Sequence, residues 1–457
     1  MTTVLTVTTA SDSGAGSLRQ ALLDAASPKT PTNFEIDFAI PGSGIHAIKP
    51  TSSLPVVPLN TTISGWTQPG YSGSPLIEIN GSRAGTYRAP NLFVEGLILK
   101  GGDGVYGLTI DGFAGDQVLV AGPHSAVQGD DIGVGPSGET VSGPGPDQAG
   151  ISVLDTGDVA IGGRLAGQAN VISGNHWGIF ASNDYRLDIE GNAIGLDATR
   201  AKVIANGFVG IELVGSHDSI IGGSSAASAN QIDGSEYGIY LTSNSGGPHD
   251  YNDRIIGNNL GVGAAAPSLP YNSKYDLFLD FNTNTNTITG NTFGPVAASA
   301  TSSLHPPVRD VNPGNVYAGN VGFDATKQQV NVGVTSSYIP AKSPNKQVYS
   351  FTSTFAVTNQ GSATATGITL EIAMSPGSSF QVVGYAPTSQ GTFDPAFAPS
   401  TGASTYLVRF DSLAPGQSAS VTLDCVNPSG TLAGHLAGSV ASDGIDAASS
   451  DKHGQPF

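Results

Sequence analysis

The chain repeats itself in register: Gly-Ile-Ser-Val-Leu at 150–154 returns as Gly-Ile-Glu-Leu-Val at 210–214, and Ile-Gly-Gly at 161–163 returns at 221–223. Two further motifs of the same block return at the same offset. Periods of this order are typical of solenoids, in which each unit buries its apolar face against its neighbours. The middle of the chain is therefore predicted to be a solenoid with a long lateral surface.

The apolar residues of this block come in runs of three or four, with Gly, Asn and Asp between the runs. Such runs are typical of short strands joined by tight turns. Three sets of runs in one block predict three coils of about 20 residues each, the coil size that we expect of a parallel β-helix. Four similar corner motifs, each opening and closing on Gly, support this fold at 129–133, 191–195, 257–261 and 290–294.

One helix is predicted near the start of the chain, over residues 18–25. Ser17 is placed to cap it, and Gln20 follows three positions later as in a capping box. Strands are predicted on either side of it, at 4–9 and 34–40. A short helix at the start of a β-rich solenoid is expected to cover the open core of the first coil.

The part of the chain from about position 3 to position 325 resembles the bacterial secreted right-handed parallel β-helix proteins of the pectate-lyase-like superfamily. The resemblance rests on DSGAGSLRQA at 12–21, ISGWTQPGYSG at 63–73 and the Gly-Asn-x-Ile-Gly corners. It implies a right-handed parallel β-helix. It implies no single activity, because that superfamily includes lyases, hydrolases, epimerases and adhesins.

The composition changes near position 325, and apolar residues then alternate in strands spaced as in a β-sandwich. The predicted strands are 349–358, 366–374, 380–385, 405–410, 418–425 and 436–441. Three motifs in this part resemble the immunoglobulin-like modules of bacterial surface proteins: VTN at 357–359, ATGITL at 365–370 and LAPGQ at 413–417. We therefore expect an all-β chain, with a capped parallel β-helix over 1–325 and an immunoglobulin-like β-sandwich over 326–457.

The net charge of the chain limits the classes of partner that we expect it to bind. Its 18 basic and 36 acidic residues give a formal net charge of −18, which disfavours nucleic acid and anionic membranes as partners. Polysaccharide, or other copies of the chain at a cell surface, are the partners that we expect. Cys425 is the only cysteine, so we predict no internal disulfide and a buried thiol.

Two observations bear on localisation. No apolar run approaches the ~18–20 residues of a membrane helix, so we predict no membrane insertion. The first residues lack a basic region followed by an apolar core, so we predict no cleavable signal peptide in this chain. The Thr-, Ser-, Asn- and Gly-rich composition favours an extracellular or cell-surface location.

A candidate catalytic site follows from a break in the repeat. The spacing from Gly191 to Gly257 exceeds the repeat offset, and insertions in solenoids fall in loops that often carry binding. The inserted stretch brings a potential base, a carboxylate and a cation together in His249, Asp250 and Arg254. Gly-Pro-His-Asp at 247–250 weakly resembles the Asp-Pro-His-Asp stretch of bacterial mannuronan epimerases, with Gly in place of the first Asp.

A candidate glycan-binding site rests on aromatic residues. Trp177 and Tyr237 occupy equivalent positions of the repeat, so we expect them on one side of the solenoid, about three coils apart. Tyr185 and Arg186 are predicted to belong to the same cluster as Trp177, because they follow it closely in sequence. Aromatic rings on a lateral face can stack on sugar rings, and packing against the next coil is the structural alternative.

Two acidic motifs have structural interpretations. Asp130-Asp131 is similar to the paired aspartates of polygalacturonase-like hydrolases, but Asp130 falls on the Asn of the corner motif, so we predict a corner residue. Lys100-Gly101-Gly102-Asp103-Gly104 resembles one calcium-binding Gly/Asp repeat. No second copy follows, so we predict a turn. Calcium is the one cofactor left open, and no metal ligands are assigned.

Three functions remain open from the sequence. The favoured one is a non-catalytic extracellular surface, scaffold or adhesin-like protein that self-assembles. The second is a polysaccharide lyase or epimerase that acts on an acidic glycan. The third is a glycan-binding module.

Overall fold

The structure is a computed structural model, and it describes residues 2–27, 33–89, 92–136, 138, 148–243, 249–262, 272–280, 283–294, 308–310, 315–322, 329–330, 332–342, 349–359, 364–374, 381–387, 392–393, 405–414, 416–427, 436–441 and 445–446. These residues are nearly all β, with one α-helix, α1 (Leu18–Ala25). Two single-turn 3₁₀ helices lie at Gly65–Thr67 and Gly81–Arg83. The chain divides into two compact units, the first made of Met1–Ala300 and Asn315–Phe323, the second of Thr301–Gly314 and Asp324–Phe457.

Three parallel sheets form the first unit. Sheet A contains, in spatial order, β1 (Thr2–Val7), β2 (Asn33–Phe38), β4 (Thr61–Ser64), β9 (Gly104–Tyr106), β12 (Ala126–Gln128), β15 (Ala160–Gly162), β18 (Asp188–Glu190), β21 (Ile220–Gly222), β25 (Arg254–Ile256), β29 (Thr287–Thr289) and β32 (Val316–Ala318). Sheet B contains β3 (His46–Ile48), β5 (Ile77–Asn80), β10 (Leu108–Asp111), β13 (Asp131–Ile132), β16 (Val171–Ile172), β19 (Ala193–Ile194), β22 (Gln231–Ile232), β26 (Asn259–Leu260) and β30 (Thr292–Phe293).

Sheet C contains, within the first unit, β8 (Leu97–Leu99), β11 (Val118–Val120), β14 (Ala149–Leu154), β17 (Trp177–Ser182), β20 (Val209–Val214), β23 (Tyr237–Thr242) and β27 (Tyr275–Leu279). Two short pairs lie outside these sheets: β6 (Tyr87–Ala89) with β7 (Leu92–Phe93), and β24 (Asp250–Tyr251) with β28 (Thr283–Asn284). In the regular coils each turn of the chain contributes one strand to each sheet. The structure thus confirms a parallel β-helix.

The coil size differs from the prediction. Ile151 pairs with Ile179 in the next coil, and Ile179 pairs with Ile211 in the coil after that. The step from 151 to 211 is one full repeat block, so a block makes two coils, and the predicted three coils per block is wrong. The reason is that each apolar run forms only one strand, whereas a complete coil needs three strands, one in each sheet, and the three turns between them. A coil is therefore longer than the predicted ~20 residues, and fewer coils fit in one block.

The core is built from stacked aliphatic side chains. Along sheet B the inward positions of successive coils are fully buried, and they are Ile132, Ile172, Ile194, Ile232 and Leu260. Burying one such side chain contributes about 1.5–3 kcal/mol relative to leaving it exposed. The β-branched residues also suit a pleated surface. A continuous apolar column therefore holds the coils together.

A ladder of buried amides joins the coils at the corner before sheet B. Each side-chain oxygen accepts the backbone N–H of its counterpart in the preceding coil: Asn192 N–H donates to Asn230 Oδ1 at 2.9 Å, and Asn230 N–H to Asn258 Oδ1 at 3.2 Å. The ladder comprises the amides of Asn170, Asn192, Asn230, Asn258 and Asn291 and the half-buried amide of Asn320, and Asp130 contributes its backbone N–H at the start. The structure confirms the prediction that Asp130 is a corner residue.

The N-terminal helix forms as predicted. Ser17 Oγ accepts the backbone N–H of Gln20 at 3.2 Å, which is the hydrogen bond of an N-cap. Leu18 and Leu22 are fully buried on one face of α1, which packs against β1 and β2. The helix therefore covers apolar residues of the first coils.

The second unit contains two four-stranded antiparallel sheets. One has the order β34 (Val332–Lys342), β35 (Tyr349–Asn359), β40 (Ser418–Asn427), β37 (Gln381–Pro387), and the other β38 (Thr392–Phe393), β39 (Thr405–Leu413), β36 (Ala365–Met374), β41 (Leu436–Ala441). In this unit the short strand β42 (Ile445–Asp446) pairs in parallel with β31 (Val308–Asp310) on one side and with β33 (Gln329–Val330) on the other. Cys425 is buried on β40, and burial raises the pKa of its thiol to about 12. Within the described part of the chain, no helix is long and apolar enough to cross a membrane.

We predict that Asn230→Ala lowers the free energy of unfolding by about 3 kcal/mol, because the buried N–H of Asn192 and the carbonyl of Ile189 both lose their partner. Urea unfolding of the full chain measures this change. The matched control is Asn284→Ala, which removes an exposed amide of β28 and should change stability by less than about 0.5 kcal/mol. Equal effects of the two substitutions would contradict a structural role for the ladder.

Candidate functional site

Aromatic side chains gather on the outer face of sheet C. Along β17 the side chains alternate, with Ile179 and Ala181 fully buried in the core and Phe180 directed to the other face. The parallel register places one residue from each coil beside Phe180, in the row Phe180, Glu212, Tyr240, Phe278. We call the aromatic face the set of Trp177, Phe180, Phe208, Tyr237, Tyr240 and Phe278.

Three rings of the aromatic face stack on one another. The centroids of Tyr240 and Phe278 lie 4.9 Å apart with planes inclined by 11°, and those of Tyr237 and Phe278 lie 5.7 Å apart at 20°. Phe208 connects this stack to Trp177, meeting the Tyr237 ring at 80° and the Trp177 ring at 88°. The face is a set of half-buried rings in contact with one another that spans several coils.

A single carboxyl lies within the row of rings. Glu212 stands between Phe180 and Tyr240 and is only 8% exposed, although it belongs to the outer side of the sheet. The indole Nε1 of Trp177 donates to Glu212 Oε2 at 2.6 Å. Burial raises the pKa of Glu212 to about 7, and the indole hydrogen bond opposes that rise. Glu212 therefore exchanges a proton near neutral pH.

Other charged groups of this region lie at its border. The Tyr240 hydroxyl donates to Asp280 Oδ2 at 2.9 Å. Lys274 forms an ion pair with Glu236, and its Nζ lies 5.1 Å from the centroid of the Tyr237 ring. Among the described residues of this region, carboxyl groups thus outnumber lysine, and the lysine is held by a carboxylate.

The four residues predicted to bind glycan lie on two different surfaces. Trp177 and Tyr237 are both half-buried on the aromatic face. Val209 separates them in the register, so they are two coils apart, and the predicted three coils is wrong for the same reason as the coil size. Tyr185 and Arg186 lie instead on the turn that follows β17.

That turn and the equivalent turns of the next two coils carry a smaller column of three rings, Tyr185, His217 and Tyr251, which we call the turn column. The His217 ring stacks between Tyr185, with centroids 5.9 Å apart, and Tyr251, with centroids 4.8 Å apart. The Arg186 guanidinium lies 4.5 Å from the Tyr185 centroid and donates to both carboxylate oxygens of Asp158, at 2.6 and 2.7 Å. Arg186 is therefore held by neighbouring coils of the same chain.

The residues predicted to be catalytic lie in different environments. His249 and Arg254 are exposed, whereas Asp250 is fully buried. Asp250 lies beside Asp253, and burial together with the neighbouring carboxyl raises the pKa of Asp250, while burial raises the pKa of Asp253 as well. A catalytic role for His249, Asp250 and Arg254 stays a prediction, and the geometry does not favour it because solvent does not reach Asp250. Residues 245–248 of the predicted inserted stretch 245–250 lie outside the described residues.

The calcium-like motif forms a turn. Asp103 is buried, and its Oδ2 accepts the backbone N–H groups of Lys100 and Gly101 at 2.7 and 2.9 Å. Its Oδ1 accepts the N–H of Thr61 at 3.0 Å. The carboxylate is therefore occupied by the backbone. In the part of the chain that the structure describes, no group of three or more His, Cys, Asp or Glu residues is arranged to hold a metal ion.

Most of the aromatic face was not anticipated from the sequence. Phe180 and Tyr240 do occupy equivalent positions of the repeat, so this pair carried a signal. Glu212 carried another, as an acidic residue within the otherwise apolar strand β20. Phe208 and Phe278 have no counterpart in the repeat, and only the folded register brings them to this face.

Comparisons with known proteins give only distant similarities. No protein-family model matches the chain, and no curated protein matches it. Among solved structures, the ORF18 protein of Geobacillus virus E2 is 12% identical, with a TM-score of 0.28, covering 78% of this chain and 73% of that one. Full-length tailspike protein 2 of the Escherichia coli O157:H7 bacteriophage CAB120 is also 12% identical with a TM-score of 0.28, covering 96% and 61%.

A third similar structure is the enzymatically active domain of tailspike protein 4 from bacteriophage CBA120. It is 9% identical with a TM-score of 0.21, and the similarity covers 94% of this chain and 65% of that one. The chain thus spans less than two thirds of both tailspike structures. At these values the comparisons define no family for this chain.

Buried carboxyls make stability depend on pH. Burial raises the pKa of Asp184 to about 8, whereas an unfolded Asp titrates near ~4. The folded state keeps a proton that the unfolded state releases, so this contribution is complete below pH ~4 and is lost as pH rises toward 8. We predict a melting temperature that falls from pH 5 to pH 8.

Asp184→Asn tests this origin, because the amide oxygen can still accept the N–H of Thr156 but does not titrate. The slope of stability against pH should become shallower by about 1.4 kcal/mol per pH unit between pH 5 and 7. Calorimetry at matched ionic strength measures it. An unchanged slope would show that Asp184 is not a proton-holding group.

Proposed function

We propose that the protein binds polysaccharide through the aromatic face of sheet C. The observation that carries this proposal is the row of half-buried rings on sheet C, which one hydrogen-bonding carboxyl interrupts. Aromatic rings supply apolar area to the C–H faces of sugars, and a few placed polar groups fix orientation. The solenoid adds a long, regular surface, which suits an extended polymer better than a small molecule.

The setting that we propose is extracellular or at a cell surface. We propose that the β-helix is right-handed and pectate-lyase-like over residues 1–325. We also propose that residues 326–457 are an immunoglobulin-like module that acts as a spacer or contact. The motifs quoted above and the two antiparallel sheets support the module. Adhesion and self-association belong to the same proposal.

Binding without catalysis is favoured over a lyase or epimerase. Those reactions on an acidic glycan need a cation near the sugar carboxylate and a base near the adjacent carbon. At the border of the aromatic face the cation Lys274 is paired with Glu236. On the predicted catalytic segment Asp250 is buried. The carboxyl-rich surroundings suit a ligand without negative charge.

We predict that Trp177→Ala weakens binding of a neutral polysaccharide by about 2 kcal/mol, roughly 30-fold in Kd, because truncating a central aromatic residue removes both apolar area and a donor. Affinity gel electrophoresis across soluble glucans, xylans and mannans identifies a ligand, and calorimetry gives Kd. Tyr237→Ala should weaken binding of the same ligand in the same direction.

Tyr185→Ala is the comparison variant, since it removes a ring from the turn column and leaves the aromatic face intact. It should bind as the unmodified chain does. If Tyr185→Ala abolished binding and Trp177→Ala did not, the ligand site would be the turn column and the proposal would be wrong.

A further inference from the structure

We propose that Glu212 makes the aromatic face select uncharged glycans and take up a proton when it binds them. This inference rests on the proposed function and adds the ligand class and its regulation. It starts from position: Glu212 lies directly between Phe180 and Tyr240, within the aromatic part of a row that also includes Ser152. A glycan lying across the row has to cover this carboxyl.

The surroundings of Glu212 disfavour a negatively charged ligand. The titratable groups of the same region are Tyr240 and Asp280 on the side of β23 and β27, Glu236 with Lys274 at the border, and His176 beside Trp177. Among these described groups the carboxyls outnumber the lysine, which is already paired. A uronic acid or sulfated sugar would therefore meet repulsion in partly desolvated surroundings, where charge interactions are strong.

The burial of Glu212 determines whether glycan binding favours the protonated or the charged form of its carboxyl. Only 8% of the residue is exposed, and one oxygen already accepts the Trp177 N–H at 2.6 Å. A glycan seated on the rings removes the remaining water, which disfavours the charged carboxylate and leaves the acid able to donate its O–H to a sugar oxygen. The carboxyl of the unliganded protein titrates near neutral pH. Binding therefore raises its pKa further, and affinity falls as pH rises through that range.

The variant that isolates this group is Glu212→Gln. The glutamine amide oxygen can keep the hydrogen bond from Trp177 Nε1 but has no proton to exchange. Melting curves of the variant and the unmodified chain at pH 5.5 establish that it folds. The matched control is Glu35→Gln on β2, an outward carboxyl of sheet A far from the aromatic face.

The experiment measures calorimetric Kd at pH 5.5 and 8.5 for defined hexasaccharides. Cellohexaose, mannohexaose and xylohexaose are the uncharged probes, and hexagalacturonic acid is the acidic one. We expect an uncharged hexamer to bind about 10-fold more tightly at pH 5.5, the factor that one unit of pKa shift on binding produces. Glu212→Gln should bind with the same Kd at both values, and Glu35→Gln should keep the difference.

Each outcome decides one claim. An uncharged hexamer that binds the unmodified chain and Glu212→Gln with the same dependence on pH overturns the role of Glu212, while the proposed function stands. Tighter binding of hexagalacturonic acid than of every uncharged hexamer overturns the ligand class. Absence of binding by all hexamers and by the polysaccharides above at both pH values overturns the proposed function itself.

Discussion

The amide ladder between coils is the constraint on which the rest of this structure depends. A solenoid can slip in register wherever its strands are short, and many strands of sheet B span only a pair of residues, as Val171–Ile172 and Ala193–Ile194 do. At the corner before that sheet, each Asn side chain bonds the backbone of the preceding coil and donates back to a carbonyl, as Asn230 does to Ile189 at 2.7 Å. Leaving buried amides of this kind unpaired is strongly unfavourable, so the register has one satisfactory value.

The fixed register explains why a functional surface can exist on such short strands. Rows of outward side chains are built by adding one residue per coil, so a ring at position 180 meets whatever residue the next coil supplies at the same place. That residue is Glu212, followed by Tyr240 and Phe278. A slip by one residue would turn these side chains to the opposite face and break the row.

The raised pKa values of carboxyl groups in the β-helix share one cause, which is burial. Carboxyls that face the core or lie under aromatic rings lose water, and burial then favours the protonated form over the charged one. This effect raises the pKa of Asp184, which lies at the turn after β17, and the pKa of Glu212, which lies on the outer side of sheet C. They differ in consequence, because Asp184 is fully buried at a turn, whereas Glu212 lies 8% exposed between rings of the aromatic face. Protonation therefore affects stability at one place and, we propose, recognition at the other.

The sequence predicted architecture better than the site. Strands of the second unit lie close to their predicted bounds, as with 349–358 against Tyr349–Asn359, because strict alternation reports strands directly. Strand Val332–Lys342 was not predicted, since its Ser, Thr and Pro residues carry little apolar pattern. The coil length was wrong because apolar runs do not reveal how many of them close one turn. Glu212 could not be assigned, because its burial depends on rings from other coils.

The central claim is that glycan lies on the aromatic face, and the fluorescence of Trp177 tests it most directly. The chain has two tryptophans, and Trp66 stacks on Tyr106 at 4.8 Å, apart from the aromatic face. In a Trp66→Phe variant, the remaining emission reports Trp177 alone. The account predicts that a saturating neutral glycan shifts this emission to shorter wavelength and protects it from quenching by acrylamide. Saturable binding of that glycan with unchanged emission and unchanged quenching would contradict the account.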